Sequence, residues 1–261
     1  MNAPVRTVLV HGAWHDGSCW APVVRRLTAA GRDVHVVDLP GNRPGTPSRT
    51  YIESVLDVVG PGDGVGQGRV VLVGHSAGGL VVPAVAQALG ADRVAAMVLV
   101  AALVPRPGMS WQERARSEQP MVAGFGRGQR RHDDGTTWWP EESAAAELYA
   151  GVAQEYGPGG EEAVQAAVAA LRPQDWTLTR EAGLLATWPA VRTVLVICAD
   201  DRVVDPSWSC SAAGVVPGAE VVELAGGHFP MLTRPAELAA LIDSVIAAAD
   251  PAAADPAGGL R

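Results

Sequence analysis

Ser76 lies in Gly74-His75-Ser76-Ala77-Gly78, directly after the apolar run 70–73 and directly before a second apolar stretch. This G-x-S-x-G spacing suits a sharp strand-to-helix turn that lifts a serine hydroxyl above the end of a sheet, the outer glycines leaving room where side chains would collide. A serine hydroxyl is a weak nucleophile near neutral pH and needs a base beside it. Of the six histidines, His228 in "LAGGHFPML" is the best placed, because it follows a strand-like run and a Gly-Gly pair and so falls on a loop at a strand end. Its ordinary pKa near ~6.5 lets imidazole accept and return a proton. A carboxylate must then orient that imidazole. "VICADDRVVDP" offers Asp200, Asp201 and Asp205 just after a strand-like run. Asp201 is the first choice and Asp200 its close rival, since successive side chains near a strand end face opposite ways. Asp205, before Pro206, reads as a helix N-cap.

A developing oxyanion needs N–H donors. Ala77, first residue after the serine, supplies one; Ala13, just beyond the His11-Gly12 turn in "VLVHGAWHDGSCW", supplies the other. His11 and His15 have the i, i+4 spacing of a metal pair, but they follow a strand into a glycine-rich turn and share no helix face, so no metal is assigned. His35 and His132 read as structural or solvated, and His75, inside the turn, as a packing group at the edge of the pocket. Trp14, Trp138, Trp139 and Phe229 are the candidate apolar walls, with ordinary packing as the alternative role for each tryptophan.

These residues need a frame that brings distant segments to one edge. Six β-branched runs recur, at 5–10, 33–39, 69–74, 95–103, 191–199 and 219–225, and their near-continuous apolarity suits strands covered on both faces. Helix-length segments alternate with them at 18–31, 50–60, 78–90 and 234–249. The pattern predicts a doubly wound α/β domain with a mostly parallel sheet. It breaks between 105 and 189, where strand-like runs vanish and five of the eight tryptophans gather among helical patterns such as "EESAAAELYAGVAQEY" and "EEAVQAAVAALR". An insertion of that size between two core strands predicts a helical cap. The expected organisation is a core over 1–104 and 190–250, a cap over 105–189, and a disordered tail over 251–261. The turn-rich stretches 42–49 and 60–68 read as flexible linkers.

The balance of 20 Lys+Arg against 28 Asp+Glu, net −8, argues against nucleic acid or an anionic membrane surface and favours a small-molecule partner. The longest apolar stretch, 97–104, is far short of the ~20 residues that span a bilayer. The N-terminus lacks a basic region, a long apolar region and a cleavage site, which predicts an unprocessed, cytoplasmic chain. Cys19, Cys198 and Cys210 lack disulfide or zinc spacing and read as small buried side chains. The Ala-, Gly- and Pro-rich composition suggests a bacterial, high-GC source, and oligomerisation is left between monomer and homodimer.

"VLVHGAWHDGSCWAPV", "DLPG" at 38–41, "VVLVGHSAGG", "LRPQDWTLT" at 171–179, "ICADDRVVDPSW" and "GGHFPMLTRPAEL" together resemble the α/β-hydrolase superfamily. More narrowly, they are similar to its small esterase group of plant methyl-ester esterases, hydroxynitrile lyases and bacterial relatives. The order Ser76, Asp201, His228 is the one that superfamily uses. The resemblance implies a cofactor-independent carboxylesterase that forms an acyl-enzyme on Ser76 and cleaves an ester of a small to medium, largely apolar molecule. Hydroxynitrile lyases of this type carry a threonine right after the first motif's histidine and a lysine beside the catalytic histidine; here those positions are Gly12 and Phe229, which favours ester cleavage. Asp16, where relatives often have glycine, is either a charge at the pocket mouth or an exposed turn residue. Thioester and lactone cleavage would use the same groups. A ligand sensor and a cofactor-free oxygenase are the readings from other classes.

Overall fold

The structure, a computed structural model, describes residues 5–60 and 68–249. The expected tail 251–261 and most of the linker 60–68 lie outside the described residues. In chain order the elements are β1 (Arg6–Val10), a 3-10 turn (Gly17–Trp20), α1 (Ala21–Ala29), β2 (Asp33–Val37), α2 (Ser48–Val59), β3 (Val70–His75), α3 (Gly78–Leu89) and β4 (Val94–Val100). Then come α4 (Trp111–Glu118), β5 (Arg130–Arg131), β6 (Thr137–Trp138), α5 (Glu141–Ser143), a π turn (Ala144–Leu148), α6 (Val152–Tyr156), α7 (Gly160–Ala169) and α8 (Thr177–Arg180). The chain returns to the core with β7 (Arg192–Cys198), α9 (Pro206–Ala213), β8 (Glu220–Leu224), α10 (Pro230–Thr233) and α11 (Pro235–Ala249).

All six expected strand runs form strands of one parallel sheet, ordered β2-β1-β3-β4-β7-β8. The central strands β3 and β4 are buried at every position, as strands covered on both faces must be, whereas the edge strands expose Val36 on β2 and Val221 on β8. The chain runs from β1 outward to β2, then crosses back past β1 to β3 and continues the other way. Right-handed crossovers therefore send α1 to one face and α2 with α3 to the other; α1 packs on α11, and α2 on α3. The reversal of direction between β1 and β3 opens a crevice at their C-terminal ends, where α/β sheets bind ligands. Ala13 and Ser76 sit at those two ends.

Between β4 and β7 no strand joins the sheet; α4 to α8 occupy the insertion, as expected, together with the small β5-β6 hairpin that the sequence pattern did not reveal. In the segment 141–156, α5 runs directly into the π turn, and Gly151, with a left-handed φ of 84°, separates that stretch from α6. Arg114 on α4 anchors the insertion to the core. It is buried, donates to the Val104 carbonyl and to Glu118 Oε2 (2.9 Å), and lies over the Trp208 ring on α9. Of the cysteines, Cys198 is buried as expected, but Cys19 is only partly buried and Cys210 is exposed on α9.

Candidate active site

The turn after β3 is tight because its outer residues are glycines. A Cβ on Gly74 would lie 2.8 Å from Val82 Cγ2, and one on Gly78 would lie 2.8 Å from the carbonyl oxygens of Val10 and His11. Ser76 itself takes φ 50°, a left-handed conformation that non-glycine residues rarely adopt. Its N–H donates to the Val100 carbonyl (3.0 Å) and its own carbonyl accepts from Leu103 N–H (2.9 Å), so the end of β4 and the segment just after it hold the strained residue in place.

Asp201 and His228 come from the ends of β7 and β8. Asp201 is buried, 7% exposed, while Asp200 is exposed and accepts from Gly226 N–H (3.3 Å). Asp201 Oδ1 accepts from the N–H groups of Val203 (2.8 Å) and Val204 (2.9 Å), leaving Oδ2 to accept from His228 Nδ1 at 2.8 Å. That contact puts the imidazole proton on Nδ1 and leaves Nε2 as the basic nitrogen. Asp205 caps α9, accepting from Ser207 N–H and Trp208 N–H.

His75 holds the other side of His228: its Nε2–H donates to the His228 carbonyl (2.9 Å), with the two rings 4.7 Å apart. His11 Nδ1–H donates to the Gly12 carbonyl (2.7 Å) and its Nε2 accepts from Leu39 N–H (2.9 Å). His15 Nδ1–H donates to the Ala13 carbonyl (2.6 Å) and its Nε2 accepts from the Tyr149 hydroxyl (2.8 Å). Both nitrogens of His11 and of His15 thus have protein partners, and among the described residues no group of three His, Cys, Asp or Glu is arranged to hold a metal ion. Gly12 packs so closely that a Cβ there would lie 2.8 Å from Ser76 Cβ. Ala13 and Ala77 both border the cavity beside Ser76.

Burial drives the His11 pKa below its ordinary value, that of His15 down to about 4, and that of His75 well below, with His228 and His15 adding repulsion at His75. The unfolded chain takes up protons at these rings near pH ~6.5, whereas the folded chain refuses them until lower pH. Protons therefore favour the unfolded state, and stability should fall as pH drops from about 6.5 toward 4. Urea unfolding at stepped pH measures this slope; a His15→Gln variant should flatten it, and an unchanged slope would show that His15 is not held neutral.

A cavity of about 230 Å³ joins these parts. Ser76, His228, His75, Trp14 and Phe229 line it from the core, and Trp111, Phe125, Met121, Leu148 and Trp176 from the insertion. Gln129 contributes an amide, and among the described residues no Asp, Glu, Lys or Arg side chain lines the wall. Trp138 is corrected: it is 36% exposed and stacks on His132, on the outer side of the β5-β6 hairpin. Trp139, next in the chain, is turned inward but stands behind the wall, edge-on to Trp14 and tilted against Phe125. Trp111 and Trp176 take the places expected of that pair. Asp16 is the turn residue of the two alternatives, accepting from Ser18 N–H (2.9 Å) and lying 3.7 Å from Arg172.

The chain matches the alpha/beta hydrolase family over residues 7–241. It is 30% identical over 264 residues to the probable esterase PIR7A of Oryza sativa subsp. indica, covering 93% of this chain and 97% of that one. To methyl jasmonate esterase 1 of Vitis vinifera it is 27% identical, covering 92% and 95%. Among solved structures, a pyrethroid hydrolase from Sphingobium faniae JZ-2 superposes with a TM-score of 0.76 at 23% identity, covering 96% and 99%. The plant origin of these two full-length relatives lends no support to a bacterial source. Among the described residues no helix is long and apolar enough to cross a membrane. With a six-stranded parallel sheet, the strained serine turn after β3 and this match over most of its length, the chain belongs to the alpha/beta hydrolase family.

Proposed function

We propose that the protein is a serine carboxylesterase acting on neutral, largely apolar esters of small to medium size, with Ser76 as nucleophile, His228 as base and Asp201 as its orienting acid. The observation that carries this reading is the buried Asp201–His228 pair opening onto the same apolar cavity as Ser76. Ser76 Oγ attacks the ester carbonyl as His228 Nε2 takes its proton, and the new oxyanion is held by the N–H groups of Ala13 and Ala77. His228 then gives the proton to the departing alcohol oxygen, leaving an acyl-enzyme. Water, deprotonated by the same Nε2, adds to the acyl carbon, and collapse of that second intermediate releases the acid and restores Ser76. The absence of Asp, Glu, Lys and Arg from the cavity wall among the described residues supports a neutral substrate, since burying an unpaired charge there would be costly. The esterase names of the relatives agree with this chemistry. Gly12 and Phe229 stand where a lyase of this type would have its threonine and lysine, which speaks against cyanide elimination.

Nitrophenyl esters from acetyl to decanoyl, together with labelling by a fluorophosphonate, test the proposal. Turnover with a chain-length optimum and one phosphonate on the Ser76 peptide are expected. A folded protein that neither turns over any ester nor labels at Ser76 would overturn it.

A further inference from the structure

Trp14, the residue after Ala13, has φ 63° in a bulky side chain, and the insertion grips it three ways. Its N–H donates to Gln174 Oε1 (3.1 Å), its carbonyl accepts from Arg172 N–H (2.8 Å), and its indole N–H donates to Thr137 Oγ1 (3.1 Å). The Ala13 carbonyl and the Trp14 N–H belong to one peptide unit. His15 holds the first and Gln174 the second, so the plane of that peptide is fixed from both ends. The N–H of Ala13 sits on the adjoining peptide.

Gln174 is itself immobilised. It is 6% exposed, its backbone pairs in both directions with Thr137 (2.8 Å each), and its Nε2 donates to the Asp175 carbonyl (2.6 Å). This donation fixes which end of the amide meets Trp14, leaving Oε1 as the acceptor. The carboxamide also occupies the space that a side chain at Gly41 would need: a Cβ there would lie 2.7 Å from Oε1 and 2.9 Å from Nε2. Asp175 N–H donates to the Gly41 carbonyl at 2.6 Å, tying the same two segments together.

We propose that Gln174 is a positioning residue that sets the Ala13 N–H for the oxyanion by holding Trp14 in its left-handed conformation, and that Gly41 is a glycine to admit it. This rests on the proposed esterase reading, in which Ala13 N–H is an oxyanion donor. An interaction that tightens only as charge develops on oxygen affects kcat and leaves ground-state binding alone. Since Gln174 borders no part of the cavity, its loss should leave substrate contacts in place.

The test compares wild type with Gln174→Met, Gln174→Glu and Gly41→Ala on a nitrophenyl ester, with inhibition by a trifluoromethyl ketone as a mimic of the tetrahedral adduct. Gln174→Met, which keeps the length but removes the acceptor, should lower kcat roughly 100-fold with KM little changed, the penalty expected for a misplacement of about 1 Å. Ketone affinity should fall in step with kcat/KM. Gly41→Ala should give the same pattern, and Gln174→Glu, which keeps an oxygen for the Trp14 N–H but loses the donor to the Asp175 carbonyl, should fall between wild type and Gln174→Met. Wild-type kcat and ketone affinity in both Gln174→Met and Gly41→Ala would overturn the proposal, as would a rise in KM that accounts for the whole effect. Should Gln174→Met fail to fold, Gly41→Ala and Gln174→Glu still decide. Wild type that labels at Ser76 and turns over, with variants indifferent to Gln174, defeats this inference alone; wild type that does neither defeats the esterase reading and this inference with it.

Discussion

Ser76→Ala is expected to lower kcat on nitrophenyl acetate by about 10⁶-fold, the scale seen when a serine nucleophile is removed from a triad. The covalent route ends, because no other hydroxyl lines the cavity among the described residues. The fold should survive. Alanine has the same Cβ as serine, so the φ of 50° costs about the same, and the two backbone hydrogen bonds that brace the turn do not involve the hydroxyl. A residual rate of ~10³–10⁴ over uncatalysed hydrolysis would remain from binding and the N–H donors. Initial rates on freshly purified enzyme, with a melting curve alongside, measure both halves of the prediction. A Ser76→Ala enzyme within tenfold of wild type would mean that water, activated by the Asp201–His228 pair, attacks the ester directly, and Ser76 would lose its role as nucleophile.

The core was legible because a parallel strand covered on both faces leaves a long apolar trace, and each of the six runs became a strand of the sheet. The Gly74 and Gly78 spacing was equally readable, since close backbone approach leaves glycine few substitutes. The insertion was harder for physical reasons. Strands of two residues, as in β5 and β6, are too short to show alternation, so nothing in "TTWWP" told which of Trp138 and Trp139 would face outward. The wall residues Trp111 and Trp176 looked no different from packing tryptophans until two segments far apart in the chain met across the cavity. The Ser110 and Glu113 capping box that starts α4 is a further sequence signal, unused above, that would have placed Trp111 at a helix start without aiming it. Gln174 carries no chemical signature at all. Its partner Trp14 lies 160 residues away, and only the meeting of two polar atoms in a buried place gives it meaning.

Asp201→Asn is expected to reduce kcat about 10⁴-fold while keeping KM and stability close to wild type. The reason lies in the way the carboxylate is used. Oδ1 accepts two N–H groups, from Val203 and Val204, and a buried N–H pair left unmatched would be costly. An asparagine must therefore keep its carbonyl oxygen at that position and turn its NH₂ toward His228. The imidazole then has a donor facing Nδ1, adopts the other tautomer, and carries its proton on Nε2, where the base is needed. The chemistry fails although every heavy atom stays in place. Nitrogen-15 NMR of His228 reads the tautomer directly, with protonated Nδ1 expected in the wild type and protonated Nε2 in the variant. Asp200→Asn provides the contrast: its side chain is exposed and, among the described residues, bonds to the Gly226 N–H and not to His228, so it should stay within a few-fold of wild type. An active Asp201→Asn beside an inactive Asp200→Asn would transfer the role of orienting acid to Asp200, and the buried 2.8 Å contact to His228 would then be structural.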